Sequence, residues 1–297
     1  MNPPHAKRVK YSVPFGNVDN NRGQNLMNPP IMVEDPYFWL RDDKRKNEEV
    51  IKHINKENEY TENLMNKNKE SIDNLYQELL SHVKEDDSSL PLPHGEGGWD
   101  SKYYYFIKKI KGQSYPLHCR INKQTNLEEV ILDENLLANG KETFDLTSFQ
   151  ITEDHQFMSY GIDETGNERY QLKIVNIDTK EEIEHEIPEL AYCSYFWYKN
   201  TIYYLMGDDK NRLYQLWKYD FKNNNNIKLF QSDNELIDVG ASLSEDKTHI
   251  FITADSYETD DVYCLLTEDE KMEIKQFTKK VEGHKYDLVM SGNTLGH

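Results

Sequence analysis

Residues 102–107 read KYYYFI, an aromatic run with the alternation of a strand, and residues 115–120 read YPLHCR after a polar turn at Lys111 and Gly112. The same pairing returns three times. Residues 156–162 (QFMSYGI) precede 170–176, 201–206 (TIYYLM) precede 214–219, and 248–253 (THIFIT) precede 261–266. Measured between Tyr103, Phe157, Ile202 and Ile250, the steps are 54, 45 and 48 residues; between Tyr115, Tyr170, Tyr214 and Val262 they are 55, 44 and 48. A polar turn separates each pair (Thr165-Gly166-Asn167, Asp208-Asp209-Lys210, Glu258-Thr259-Asp260), and a further strand follows, for instance at 128–132 and 227–231. Two series in register, with four short strands per unit, predict the blades of a β-propeller. A β-sandwich is the alternative for the same strands. A βαβ fold is disfavoured because no helical stretch of about 10–15 residues lies between them.

Outward from these repeats, the fourth unit ends near Phe277, and residues 282–297 look like the first strand of another. The expected fold is mainly β: a partial propeller of about four blades over 87–297, incomplete at its C-terminal end. An open stack of blades exposes sheet edges and apolar faces, so this region reads as part of something larger or as a truncated product. Upstream, Val50, Ile51, Ile54, Leu64 and Met65 follow helical spacing, with Asn47 as N-cap and Glu48 and Glu49 in the first turn. A second helix carries Ile72, Leu75, Tyr76, Leu79, Leu80 and Val83 on one stripe, with Ser71 as its expected cap. These two helices occupy 47–86, and no further helix is expected after Glu85. Residues 1–46 contain Pro3, Pro4, Pro14, Pro29, Pro30 and Pro36, lack periodicity, and read as an extended arm with one aromatic cluster at Tyr37, Phe38 and Trp39.

Composition narrows the functional classes. The 297 residues carry 35 Lys and Arg against 53 Asp and Glu, a net charge of −18. Such a field repels phosphate backbones and anionic membranes, so neither nucleic acid nor membrane is an expected partner. The mean hydropathy is −0.87, yet 12% of residues are aromatic, more than a disordered chain carries. No stretch has the roughly 18 apolar residues of a membrane span, and the start lacks the apolar core of a signal peptide. Cys119, Cys193 and Cys264 are odd in number and far apart, which fits neither a disulfide framework nor a metal knuckle. The expected compartment is the cytoplasm.

Motifs of catalysis are missing. There is no G-x-S-x-G elbow, no G-x-x-x-x-G-K-[ST] phosphate loop and no H-E-x-x-H zinc helix. His94-Gly95-Glu96-Gly97-Gly98 is Gly-rich but precedes a strand, and reads as a turn. His118 and His249 fall within strands and read as packing or surface residues. Asp42-Asp43 and Asp86-Asp87 are sequence neighbours whose side chains diverge, so neither is an acid/base pair. No catalytic, cofactor-binding or metal-binding residue is expected.

A set of motifs carries a resemblance instead. Glu34-Asp35-Pro36-Tyr37-Phe38-Trp39-Leu40-Arg41-Asp42-Asp43 resembles the D-P-Y-x-W-L-R-D motif near the start of the prolyl oligopeptidase family. Residues 47–65 resemble the helix that follows it, with an E-N-x-Y-T core at Glu57, Asn58, Tyr60 and Thr61. Tyr115-Pro116-Leu117-His118-Cys119-Arg120 is similar to the Y-P-I-Y-C-R strand of the oligopeptidase B branch, and Leu132-Asp133-Glu134-Asn135 to that branch's L-D-x-N turn. Asp163-Glu164-Thr165-Gly166-Asn167-Glu168 resembles the D-x-x-G-x-E propeller turn; residues 212–218, with Tyr214 and Trp217, and 282–286, with Gly283 and His284, resemble later segments.

The resemblance implies a serine peptidase whose seven-bladed propeller admits short peptides to an α/β-hydrolase domain that cleaves after Lys or Arg. None of that domain's residues is recognisable here, so the resemblance transfers no Ser, Asp or His of the triad. It implies a non-catalytic, gating and substrate-filtering module. Its partners would be a hydrolase domain encoded elsewhere or lost, and short basic peptides. The aromatic cluster, Arg41 and Asp42 look like arm residues that brace the two domains. The alternative is a stand-alone propeller-fragment binding protein, or a remnant with no peptidase role.

Overall fold

Residues 2–18, 27–95, 98–221, 223–269, 271–278, 281–285, 289–291 and 294–296 are described by a computed structural model. They fall into two compact units divided between residues 84 and 85.

In the first unit, β1 (Ser12–Phe15) pairs antiparallel with β2 (Ile31–Glu34), Ser12 opposite Glu34 and Phe15 opposite Ile31. The expected arm is therefore a hairpin over part of its length. Its prolines exclude a helix but not a two-stranded ribbon, which is all edge and tolerates the missing N–H of Pro14. Helix α1 (Glu48–Asn66) starts where Asn47 Oδ1 accepts the Glu49 N–H at 3.0 Å, with Glu48 and Glu49 in its first turn. Helix α2 (Lys69–Ser81) starts three residues earlier than a Ser71 cap requires. The chain reverses over Lys67 and Asn68 alone: the Asn68 side chain donates back to Leu64 O at 3.2 Å, and its carbonyl accepts the first α2 bond, from Ile72 N. The α2 stripe is exposed: Ile72, Leu75, Tyr76 and Leu79 each keep between 39% and 59% of their surface accessible, and Val83, expected on the stripe, lies just beyond the helix end and keeps 61%.

The second unit is a series of antiparallel sheets. The first holds β3 (Asp87–Ser88), β4 (Leu92–Pro93), β5 (Tyr103–Lys109), β6 (Leu117–Asn122) and β7 (Glu128–Asp133). A short helix, α3 (Glu134–Ala138), follows, which corrects the expectation of no helix after Glu85. Asp133 Oδ1 caps it from Asn135 N at 2.9 Å, and the Asn135 side chain clamps Tyr115 N and O at 3.0 and 2.8 Å. The L-D-x-N segment is thus one helical turn pinned to the strand before it. The second sheet contains β8 (Asp145–Ile151), β9 (Phe157–Asp163), β10 (Arg169–Asn176) and β11 (Leu190–Ala191). The third contains β12 (Tyr195–Tyr198), β13 (Thr201–Gly207), β14 (Leu213–Asp220) and β15 (Asn225–Gln231). The fourth contains β16 (Asp238–Leu243), β17 (His249–Asp255), β18 (Asp260–Leu266) and β19 (Lys275–Gln276). Within residues 282–297, β20 (Val289–Ser291) and β21 (Thr294–Gly296) pair as a hairpin rather than as one strand.

Each of these four sheets is an antiparallel meander, of four strands in the second to fourth and with both β3 and β4 on the edge of β5 in the first, and each packs face to face with the next in sequence. Ile131 and Leu132 of the first meet Met158, Tyr160 and Ile162 of the second. Leu172 and Ile174 of the second meet Ile202, Tyr204 and Tyr219 of the third. Tyr203, Leu205 and Leu216 of the third meet Val239, Ile250 and Ile252 of the fourth. Tyr203 and Tyr204 are consecutive, so the pleat sends them to opposite faces, one toward each neighbour. That two-sided burial explains why central strands such as β9 read as near-continuous buried runs. Tyr103–Phe106 and Phe157–Tyr160 lie in separate sheets, and four successive sheets each packed on the next exclude a two-sheet sandwich. The fold is mainly β, with propeller blades preceded by two helices.

Candidate functional site

The turns leaving β8, β12 and β16 carry charged side chains that pair across blades around a cavity, and they define the candidate site. Two are built alike. In Thr152-Glu153-Asp154-His155-Gln156, Asp154 Oδ1 accepts from Thr152 Oγ1 (2.7 Å) and Gln156 N (3.1 Å), and the fourth residue is left-handed (φ 62°). In Ser244-Glu245-Asp246-Lys247-Thr248, Asp246 Oδ1 accepts from Ser244 Oγ (2.7 Å) and Thr248 N (3.0 Å), and Lys247 has φ 61°. One loop design therefore presents a histidine in blade two and a lysine in blade four. Blade three turns tightly through Lys199 and Asn200.

These turns converge. The Lys247 ammonium pairs with the Glu153 carboxylate, 94 residues away and two blades back. Lys199 Nζ lies 2.5 Å from Glu268 Oε1, to which the Tyr198 hydroxyl also donates. A cavity of about 740 Å³ opens among Glu153, Tyr198, Lys199, Lys247, Leu266 and Glu268. A second, of about 320 Å³, adjoins it against blades one to three.

His155 anchors blade two to blade one. Its Nε2 lies 3.0 Å from Ser101 Oγ, its Nδ1 2.9 Å from the Tyr105 hydroxyl, and its ring stacks on Tyr105. Ser101 donates to His94 O at 2.9 Å, so Nε2 carries the proton and Nδ1 accepts from Tyr105. A Ser–His pair invites comparison with a nucleophile and base, but Ser101 is 3% exposed, its proton is committed to a carbonyl, and Tyr105 stands in the carboxylate's place. Burial, with His94 and Arg120 nearby, lowers the His155 pKa. This is a structural network. Sequence reasoning missed it; the shared [S/T]-E-D-x-[Q/T] wording of the two turns was the signal available.

The motif residues expected from sequence are spread over several places and form no single site. In the first unit, Asp35 Oδ1 caps Tyr37 N at 2.9 Å, Pro36 O accepts from Val9 N, and Leu40 N bonds Tyr37 O. Trp39 Nε1 donates to Lys7 O at 2.8 Å, with the Lys7 ammonium 5.1 Å over its ring. Arg41 pairs with Asp43 at 3.0 Å. Asp42 Oδ2 accepts from Lys46 N and Asn47 N, both at 2.6 Å; the bond from Asn47 leads in holding its carboxyl below the usual range. These residues tie the hairpin and the loop to the start of α1. In the blades, Tyr115 donates from its hydroxyl to Phe144 O, Pro116 O accepts from Glu134 N, and Arg120 is buried on Asp178 and Glu129. His118 is buried against Glu134 (2.6 Å) and stacks on Phe149 at 4.0 Å. Asp163 organises the turn through Gly166 and Glu168. Arg212 lies over Tyr214, and Trp217 stacks on Tyr204. Gly283 N donates to Thr259 Oγ1, and His284 O accepts from Asp260 N. Glu96 and Gly97 of the Gly-rich run and Tyr286 of the last motif lie outside the described residues. Among the described residues, no group of three or more His, Cys, Asp or Glu is placed to hold a metal ion, and no helix is long and apolar enough to cross a membrane.

Face-packed four-strand meanders whose first-strand turns converge define a propeller-type domain, and comparison with known proteins gives the family. Residues 17–296 match the family described as prolyl oligopeptidase, N-terminal beta-propeller domain, and the chain belongs to it. Among curated relatives, it is 27% identical over 251 residues to Dipeptidyl aminopeptidase BI of Pseudoxanthomonas mexicana (77% of this chain, 34% of that protein). It is 26% identical over 266 residues to Protease 2 of Moraxella lacunata (86% and 37%). Among solved structures, oligopeptidase B from Leishmania major superposes with a TM-score of 0.86 at 29% identity, covering 98% of this chain and 41% of that one. Oligopeptidase B from Trypanosoma brucei, with covalently bound antipain, gives 0.82 at 28% identity, with the same coverage. The chain therefore spans about two fifths or less of the length of these relatives.

Proposed function

We propose that this chain is the propeller portion of an oligopeptidase B-like serine peptidase, with an arm at 1–46, helices at 47–86 and blades over 87–297. By itself it is non-catalytic; it docks on a hydrolase domain and filters the short peptides that reach the catalytic Ser, Asp and His. The peptides are those cut after Lys or Arg, and the setting is the cytoplasm. The observation that carries this reading is the α2 stripe. Leu75, Tyr76 and Leu79 are each 55–59% exposed on one helical face, and Val83, just past the helix end, is 61% exposed. A contiguous apolar face of this kind marks an interaction surface, and relatives more than twice as long leave room for a further domain to cover it. The motif residues around Trp39 and Asp42 fix the start of α1, the helix that leads into α2.

The test is reconstitution. The purified chain should leave Arg- and Lys-containing reporter peptides uncut, because nothing among its described residues supplies a nucleophile, base and oxyanion donors together. Addition of the hydrolase portion of Leishmania major oligopeptidase B should give a complex that Leu75→Glu with Leu79→Glu abolishes. Turnover by the chain alone that survives inhibitor controls, or a complex indifferent to the double substitution, would overturn the proposal.

A further inference from the structure

The smaller cavity, of about 320 Å³, is at the low end of the size of small-ligand sites, roughly 300–1,000 Å³. Tyr105 of blade one, Phe149 of blade two and Trp197 of blade three form aromatic walls, with His94, Gln150 and Glu153 between them. Phe149 reaches this position because β8 bulges: its ladder with β9 skips between Thr147 and Gln150, and Ser148 is left-handed (φ 54°).

The polarity of this wall is one-sided. Its donors are committed to protein acceptors: Trp197 Nε1–H to Ser159 Oγ (2.8 Å), Gln150 Nε2–H to Tyr195 O (2.9 Å), His94 Nε2–H to Ile151 O (2.6 Å) and the Tyr105 hydroxyl to His155 Nδ1 (2.9 Å). Lys199, at the rim, is held by Glu268 at 2.5 Å. The acceptors are what these bonds leave over: the Gln150 amide oxygen and the Glu153 carboxylate. Glu153 already accepts one ammonium, that of Lys247, and it borders both cavities. A guest that meets acceptors and a carboxylate, on apolar walls, must itself be a donor, charged positively, with an apolar body.

We propose that the cavity walled by Tyr105, Phe149 and Trp197 binds an organic cation, a guanidinium or alkylammonium head on a short aliphatic stem, which takes Glu153 from Lys247. The inference stands on the cavity's polarity and not on the peptidase reading. Because the guest and Lys247 compete for one carboxylate, binding and the tie between blades two and four are opposed. The two substitutions at that pair then have opposite effects: loss of Glu153 removes the site, and loss of Lys247 frees it.

N-acetyl-arginine methylamide, agmatine and N-acetyl-citrulline methylamide are titrated into the full chain, with the Trp197 indole N–H resonance, assigned from Trp197→Phe, as the local probe. The arginine amide should bind saturably and at least tenfold more tightly than the citrulline amide, which has the same shape without the charge. Glu153→Gln should weaken it about tenfold and Lys247→Gln should tighten it severalfold. Agmatine binding equally well means the head and stem suffice; weaker agmatine binding means a peptide backbone adds contacts. Equal affinity for the arginine and citrulline amides, measured on the unmodified chain and so independent of any variant's folding, overturns the proposal. So does a saturable shift that Glu153→Gln leaves unchanged.

Discussion

Arg120 Nη2 lies 2.6 Å from Asp178 Oδ1, so a central strand of blade one is tied to the turn that follows β10 in blade two. The guanidinium also meets Glu129 at 2.9 Å and lies 4.2 Å from the Tyr103 ring centroid, and Arg120 is 4% exposed. Removing this buried side chain takes away its packing on Tyr103 together with both ion pairs, at about 3 kcal/mol, while Glu129 and Asp178 themselves stay in contact with water. Arg120→Ala should therefore cost about 3 kcal/mol in urea unfolding. Arg120→Lys should recover little of it, since a point charge cannot make the fork's two contacts and the ring stack. Asp178→Asn should cost less than about 1 kcal/mol, its carboxylate being largely in water. Equal costs for Arg120→Ala and Asp178→Asn would show the arginine's burial to be incidental.

The segment joining β11 of blade two to β12 of blade three passes so close to Gly161 that a Cβ there would sit 2.2 Å from Cys193 Sγ. Gly161→Ala should destabilise the chain by about 1–3 kcal/mol, the usual cost of overpacking. Adding Cys193→Ala should return part of that, because it removes the closest atom, in a double-mutant cycle read by thermal melting. Burial pushes the Cys193 thiol up to about 12 and Cys119 up to about 11. Neither should react with iodoacetamide at pH 8 until the chain unfolds.

The blades were legible in sequence because their period is covalent: Tyr103, Phe157, Ile202 and Ile250 recur in register whatever packs on them. The helices were legible from Asn47 and the α2 stripe, which rest on local spacing. The hairpin of β1 and β2 was not, since its ladder joins Ser12 to Glu34 across a proline-bearing segment without alternation. Nor was the Ser71 error avoidable by pattern: the α2 start is set by the two-residue reversal at Lys67 and Asn68. The candidate site was least legible. Glu153, Trp197 and Lys247 come from three blades, and only the closure of the blades on one another brings them together.

His185 fills a gap in the ladder of blade two. Its Nε2 donates to Leu172 O at 3.0 Å and its Nδ1 accepts from Ile187 N at 3.2 Å, so both nitrogens require the neutral ring. Burial lowers its pKa, as it does that of His155. For a group whose folded pKa is depressed, the stability it contributes is present above the unfolded value, about 6.5, and is lost as pH falls through the folded value. Stability should thus decline as pH drops below about 6.5. His185→Gln with His155→Gln should flatten that slope between pH 7 and 5 in urea titrations. An unchanged slope would assign the acid sensitivity to carboxylates.

Asp163 closes the turn between β9 and β10 by accepting from Thr165 N (2.8 Å), Thr165 Oγ1 (2.9 Å), Gly166 N (2.9 Å) and Glu168 N (2.8 Å). The residue is 3% exposed, and burial opposes its ionisation; the N–H bonds from Thr165 and Glu168 prevail and hold the carboxyl below its usual range. Its contribution is therefore present above about pH 4 and disappears as pH falls through the lowered value. Asp208 uses the same device in blade three, accepting from Lys210 N and Arg212 N at 2.9 and 3.0 Å. Asp163→Ala leaves three backbone donors without their acceptor and should cost on the order of 2 kcal/mol. Asp163→Asn should cost nearly as much, because its amide NH₂ must face one of those donors. Amide exchange is the sharper readout: protection should be lost at Thr165, Gly166 and Glu168 in either variant and persist at Lys210 and Arg212. Loss at both turns would mean that blades two and three open as one unit, and that the turn is not an independent fastening.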